Sequence, residues 1–225
     1  MRQQLESVLS QLSQQDEIVI SDDGSTDKTL QIIGCVNDRR IKVFPSTKIG
    51  LVKSFEQALY HASNRIIFLA DQDDVWLPDK VSKTLSLINR FSLVVSDCKV
   101  VDEKLTVIND SFFALRNSGP GLIKNLFKNS YIGCCMAFNR EILVKALPFP
   151  EDIPMHDWWI GLVSELYGKP FFLEEPLVLY RRYGSNASPT SEKSSASTAT
   201  KYKWRYHLVK SLIQRRTQIF RNSQC

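Results

Sequence analysis

The stretch Ile66-Ile-Phe-Leu-Ala-Asp-Gln-Asp-Asp-Val-Trp76 constrains this chain more than any other. Four apolar residues, Ile66 to Leu69, run straight into three carboxylates, Asp71, Asp73 and Asp74. A short continuous apolar run suits a buried central strand of a parallel sheet. Ligands of open α/β sheets bind just beyond the carboxyl ends of such strands. Three acids there repel one another unless something positive lies between them, and a divalent cation is the common solution. Residues two apart on an extended segment point the same way, so Asp71 and Asp73 address one ligand while Asp74 turns elsewhere. The competing reading is an Asp-rich turn capping the helix that Pro78 starts.

The flanking periodicities place that strand in an alternating chain. Leu5, Val8, Leu9 and Leu12 recur at helical spacing within residues 1–14. Residues 17–21 read as a strand ending in Asp22-Asp23-Gly24-Ser25-Thr26-Asp27, where Gly24 permits a sharp turn and a polar residue caps a helix to about Asn37. Strands follow at 40–44 and 93–96, with helices at 50–62 and 78–90. Further on, 132–138 reads as a strand, 140–146 and 157–167 as helices, and 171–180 as a strand broken at Pro176. Alternating strands and helices predict an α/β domain with a mainly parallel, mixed sheet flanked by helices. Residues 184–200 are Ser/Thr/Ala-rich and read as a linker. Residues 201–225 read as a basic amphipathic helix, with Trp204, Tyr206, Leu208, Leu212 and Phe220 among its apolar positions.

Charge and cysteine usage narrow the class. The net charge of +5 resides in the tail: residues 201–225 carry seven Lys/Arg and no acid, while the first 200 hold 22 basic against 24 acidic residues. The tail's aromatics are interleaved with aliphatics in a helical stripe, which suits an interface better than nucleic acid. The five cysteines are odd in number and without metal-ligand spacing, which favours a reducing cytoplasm over a disulfide scaffold. No apolar run reaches the roughly 18 residues of a membrane span, and no signal peptide opens the chain. Strand-Asp-Asp-Gly-Ser-Thr invites comparison with phosphatases of the haloacid dehalogenase type. Ser21 stands where their nucleophilic carboxylate is needed, so that mechanism has no covalent step. A nucleotidyltransferase would want a glycine-rich phosphate loop near the start, and none is present.

Four motifs in order carry a family resemblance: Asp22-Asp23-Gly24-Ser25-Thr26-Asp27, Ala70-Asp71-Gln72-Asp73-Asp74-Val75-Trp76, His156-Asp157-Trp158-Trp159 and Tyr180-Arg181-Arg182-Tyr183-Gly184-Ser185-Asn186. Over roughly residues 2–188 the chain resembles the family 2 glycosyltransferases, in particular their bacterial rhamnosyltransferase-like branch. The resemblance implies a GT-A fold over 1–183 and a nucleotide-diphosphate sugar donor. It also implies Mg²⁺ or Mn²⁺, inversion at the anomeric carbon, and a glycan or lipid-linked acceptor. By the same resemblance Asp22 and Asp23 belong to nucleotide recognition, Asp71 to ribose and metal, and Asp73 to the metal directly. Asp157 matches the general base, and a helix start there would lower its pKa. Arg181 and Arg182 are placed to clamp diphosphate oxygens. Tyr183 stands where relatives commonly carry a metal-binding histidine, and the family's usual first strand would lie before Met1. The competing reading is a non-catalytic relative that keeps weak nucleotide binding. The implied setting is the cytoplasm, with the basic tail reaching the inner face of the membrane.

Overall fold

In the computed structural model, which describes residues 1–182 and 197–222, the apolar run forms strand β3 (Ile66–Phe68), as its composition predicts. Its neighbour is not parallel. β3 pairs antiparallel with β7 (Met136–Asn139), Ile67 facing Phe138, and β7 pairs antiparallel with β5 (Leu93–Val101). β5 runs parallel to β8 (Pro170–Arg181), which pairs antiparallel with the two-residue β4 (Val75–Trp76). The path is β3-β7-β5-β8-β4, with β6 (Val107–Asn109) added to β5. β5 is buried along almost all of its length, as befits the strand covered on both faces. β8 runs through Pro176 without ending, and a register shift between Ser96 and Asp97 on β5 absorbs the proline.

β3 and β4 therefore stand at opposite ends of the strand order, yet only the loop bearing Asp71, Asp73 and Asp74 separates them in sequence. That loop ties the two edges together and curls the sheet. The fold is α/β with a mixed sheet, as expected. Antiparallel neighbours are more numerous than the alternation suggests: β4 and β6 follow their predecessors through loops alone, and the segment between β6 and β7, with two short helices and a 3₁₀ turn at Gly133–Cys135, brings β7 back antiparallel to β5.

Strands β1 (Ile18–Asp22) and β2 (Ile41–Pro45) pair parallel in a separate two-stranded sheet. Among the described residues no strand joins β1 to β3. Side chains make the connection instead. Glu17 accepts from the N–H groups of Ser63 (2.6 Å) and Asn64 (3.2 Å) and from Lys42 (2.8 Å). Arg40 is held by Asp38 and donates to the carbonyls of Leu9 (3.3 Å) and Leu12 (2.7 Å), satisfying the end of α1 (Arg2–Leu9). From α1, Ser7 Oγ accepts the Trp76 N–H at 3.0 Å. Helices α2 (Thr29–Val36), α3 (Leu51–His61), α4 (Lys80–Ile88), α5 (Phe112–Arg116), α6 (Leu122–Phe127), α7 (Arg140–Ala146) and α8 (His156–Tyr167) complete the body.

The basic helix α9 (Thr198–Asn222) starts three residues before the predicted boundary and lies against the body. Leu208 and Leu212 are buried, Arg215 donates to the carbonyls of Leu147 and Pro148, and Arg205 donates to that of Phe127 at 2.9 Å. This corrects part of the sequence expectation. Leu208, Leu212 and the half-buried Trp204 serve the core contact and are not offered to a lipid surface. Tyr183 and residues 184–196 of the linker lie outside the described residues.

Two glycines test this packing in opposite directions. A Cβ on Gly161 in α8 would sit 2.2 Å from the Tyr131 ring, whereas one on Gly34 in α2 would meet nothing within 4 Å. Gly161→Ala is expected to lower stability by about 1–3 kcal/mol or more. Gly34→Ala should raise it by roughly 0.5–1 kcal/mol through helix propensity. Urea titrations of both variants check the pair, and equal effects would contradict the packing described.

Candidate active site at the carboxyl end of β3

Asp71 leaves β3 at the mouth of the curled sheet and keeps a partly open face. Asp74 is 1% exposed: its Oδ1 accepts the Arg181 N–H at 2.8 Å, pinning the end of β8 to the carboxylate loop. Asp74 does not turn away, as the alternating spacing predicts. One Asp71 oxygen, one Asp74 oxygen and Cys134 Sγ all lie within 4.8 Å of one another. β3 ends at Phe68 and β4 begins only at Val75, so residues 69–74 form a turn-containing loop that folds Asp74 back beside Asp71.

Burial dominates the electrostatics. Desolvation, with Asp73 and Asp157 nearby, pushes Asp71 up to about 7. Desolvation and the Asp71 charge push Asp74 up to about 8. Asp73 is also raised by desolvation, although Arg181 and the Met1 amine oppose this.

Asp157, in the first turn of α8, is buried. Its Oδ2 accepts the Gly133 N–H at 3.1 Å and its Oδ1 accepts the Trp158 N–H at 2.6 Å. The helix start was expected to lower its pKa. Desolvation outweighs those N–H groups and raises it to about 6. A buried carboxylate poised there is a better proton acceptor near neutral pH than a solvated aspartate. Beside it His156 stacks on Phe55 at 3.7 Å, and burial takes its pKa down to about 3, leaving a neutral imidazole. Trp158 and Trp159 are core: their indole N–H groups donate to the carbonyls of Asn125 (2.7 Å) and Ala146 (2.9 Å).

The remaining predicted residues divide. Arg181 joins the cluster, donating to Gln3 at 3.0 Å and facing Asp73. Arg182 follows it, its N–H bound to the Val101 carbonyl and its Nη1 buried without a hydrogen-bond partner among the described residues. Asp22 and Asp23 belong to the separate β1–β2 sheet, and their bonds stay local. Asp22 accepts the Ser25 N–H at 3.2 Å. Asp23 accepts from Ile49 N–H (2.7 Å), Gly50 N–H (2.9 Å) and Ser46 Oγ (2.9 Å), and these donors hold it below its usual pKa. Its carboxylate thus fixes the loop at 46–50.

Three contributors escaped the sequence reading. Lys80 is 1% exposed, with Nζ 3.3 Å from the Cys134 carbonyl and 5.2 Å from the Trp76 ring centroid. Its spacing with Thr84 and Ile88 on the buried face of α4 was the available signal. Gly133 and Cys134, in the 3₁₀ turn before β7, carry no sequence signature of a site. As for a metal, the hard oxygen donors of Asp71 and Asp73 fit Mg²⁺ or Mn²⁺ in type.

The chain matches the family model described as glycosyl transferase family 2 over residues 1–147. It is 30% identical over 163 residues to the Escherichia coli UDP-Glc:alpha-D-GlcNAc-diphosphoundecaprenol beta-1,3-glucosyltransferase WfaP, covering 72% of this chain and 64% of that one. It is 25% identical over 216 residues to the Shigella flexneri dTDP-rhamnosyl transferase RfbG, covering 82% and 68% respectively. Among solved structures it resembles S. aureus TarS 1-349 in complex with UDP-GlcNAc, with a TM-score of 0.64, 20% identity, and coverage of 87% of this chain and 57% of that one. The chain thus spans a little over half to two thirds of the length of these proteins.

Raised carboxyls give a signed pH dependence. Asp71, Asp74 and Asp157 titrate in the fold at about 7, 8 and 6, against 3.8 unfolded. Between about pH 4 and 8 the native state then binds more protons than the unfolded chain, so these groups lose stability as pH rises through that window. The metal-free thermal midpoint is expected to fall from pH 5 to 8.5, and Asp74→Asn should flatten the slope. A midpoint that climbs through this range would contradict the burial described. The family match and the likeness in fold lead to one assignment: the chain belongs to glycosyl transferase family 2 and has an α/β fold of the GT-A type.

Proposed function

We propose that this chain moves a sugar from a nucleoside-diphosphate donor to a hydroxyl of a lipid-linked or polysaccharide acceptor, inverting the anomeric carbon. One observation carries the reading: Asp157, a buried carboxylate titrating at about 6, is electrostatically coupled to Asp71 at the mouth of the curled sheet. An inverting displacement needs a base on the face opposite the leaving group. Asp157 takes the acceptor proton, and the Gly133 and Trp158 N–H groups hold its two oxygens in place. Asp71 and Asp73 would hold Mg²⁺ or Mn²⁺, which supplies charge neutralisation for the departing diphosphate. Arg181 and Arg182 bring further positive charge to the same end of β8. Asp22 and Asp23 shape the loop expected to face the base. Resemblance to WfaP and RfbG supports a hexose or 6-deoxyhexose donor, with rhamnose the choice of the motif resemblance, and a polyprenyl-diphosphate-linked acceptor.

Asp157→Asn is expected to leave donor binding intact and to lower transfer by about 10²–10⁴-fold. Asp73→Asn should abolish Mn²⁺-dependent binding of UDP. Calorimetry with UDP and Mn²⁺, alongside turnover, separates the two. Donor affinity that collapses in Asp157→Asn would make that residue structural, and a chain that binds UDP without turnover in any acceptor screen would favour the non-catalytic reading.

For a lipid-linked acceptor we infer attachment to a membrane surface, and α9 supports it. Among the described residues no helix is long and apolar enough to cross a membrane. The face of α9 turned from the body exposes Tyr202, Tyr206, Val209, Ile213 and Phe220 in one helical stripe, flanked by exposed Lys203, Lys210, Arg216 and Arg221. Basic residues at an anionic surface contribute about 1 kcal/mol each. Replacing Tyr206, Ile213 and Phe220 by serine should abolish co-flotation with anionic vesicles while the fold persists. Undiminished flotation of that variant would remove α9 from the contact.

A further inference from the structure

We propose that Asp71, Asp74 and Cys134 form a second cation site that takes a sulfur-tolerant divalent ion, Zn²⁺ above all, and that this ion withdraws Asp71 from the nucleotide. The three donor atoms lie within 4.8 Å of one another. Tetrahedral donors at zinc distances stand about 3.3–3.8 Å apart, so a small rotation of the partly open Asp71 carboxyl closes the set. Asp74 supplies the independent observation. It is 1% exposed, and its Oδ2 is buried with no hydrogen-bond partner, although a buried carboxylate oxygen is costly to leave unsatisfied. The Cys134 thiol lies beside Asp74 as a weak donor that favours its charged form, yet it closes no hydrogen bond of normal geometry on Oδ2. Oδ1 of the same residue is already committed to the Arg181 N–H, so the side chain cannot swing away to find another donor.

The donor set selects the ion. Two carboxylate oxygens and one sulfur suit zinc, whereas Mg²⁺ wants a near-octahedral oxygen shell. Binding displaces the thiol proton together with any proton held by the two carboxyls. Charge then balances: two carboxylates and a thiolate meet a divalent ion and the buried ammonium of Lys80, whose Nζ lies 3.3 Å from the Cys134 carbonyl. Such an arrangement avoids the uncompensated buried charge that makes ion clusters unfavourable. Asp73 takes no part, so binding of this ion is separable from binding at the Asp71–Asp73 pair, whereas its effect on the nucleotide, through the shared Asp71, rests on the proposed function.

The probe is Cd²⁺ titrated into the full chain with Cys35 and Cys225 replaced by serine, reading sulfur-to-metal charge-transfer absorption and the sulfur count by X-ray absorption. One ion per chain with one sulfur ligand is expected. Asp74→Asn should weaken it at least about tenfold. Cys134→Ser should abolish the band, while Cys135→Ser and Asp73→Asn keep it. Zn²⁺ should compete with Mn²⁺·UDP in the same background. Absence of a sulfur ligand in the parent chain overturns the proposal without recourse to any variant that might fold poorly. A band that survives Cys134→Ser and is lost in Cys135→Ser overturns it as well. Loss of Mn²⁺·UDP binding in Asp73→Asn with the Cd²⁺ band intact supports both sites, and a band lost in Asp73→Asn contradicts this one.

Discussion

Burial of carboxylates that carry few compensating charges is the constraint on which the rest of this structure depends. Asp74 is held inside by the Arg181 N–H, which fastens β8 to the loop linking β3 and β4. That bond reinforces the short β4–β8 ladder, in which Val75 faces Leu179 and Trp76 faces Val178, next to the Leu77 N–H bond to the Leu177 carbonyl. The same desolvation that raises Asp71 and Asp74 raises Asp157, so architecture and proton chemistry have one cause. Enclosure strengthens every electrostatic interaction among these groups.

The β3 strand and the cluster at its end were legible because composition alone distinguishes them: four apolar residues followed by three acids have few other uses. The position of Asp157 at a helix start was legible, while its elevated pKa was not. The helix-start argument considers only the local N–H groups, and the deciding quantity is how much water the surrounding body excludes. Strand direction was obscured for a related reason. Residues 132–138 have the composition of a strand whichever way they run, and the actual path bends through a 3₁₀ turn before β7. Lys80 escaped because a lysine at a helix start reads as solvated surface, and only the facing β-sheet shows it covered. Asp23 was assigned to the nucleotide by motif, whereas its three local donors give it a structural duty in the 46–50 loop as well.

The tail divides along its own circumference. Sequence periodicity identifies an amphipathic helix but not which of two apolar stripes meets the body. The docking of Leu208 and Leu212 decides that question and leaves Tyr206, Ile213 and Phe220 facing outward. A helix with apolar residues on both sides can be a wall of the domain and a surface for something else at once.

That docking has a mechanical corollary. The Arg215 guanidinium lies 5.8 Å from the ring centroid of Trp159, two residues beyond Asp157 on α8, and its other contacts hold the Leu147 and Pro148 carbonyls in front of that helix. Force applied to the outer face of α9 is therefore borne by α8, the helix that carries Asp157 in its first turn. A tilt of α9 would thus be passed to the segment of α8 that carries Asp157.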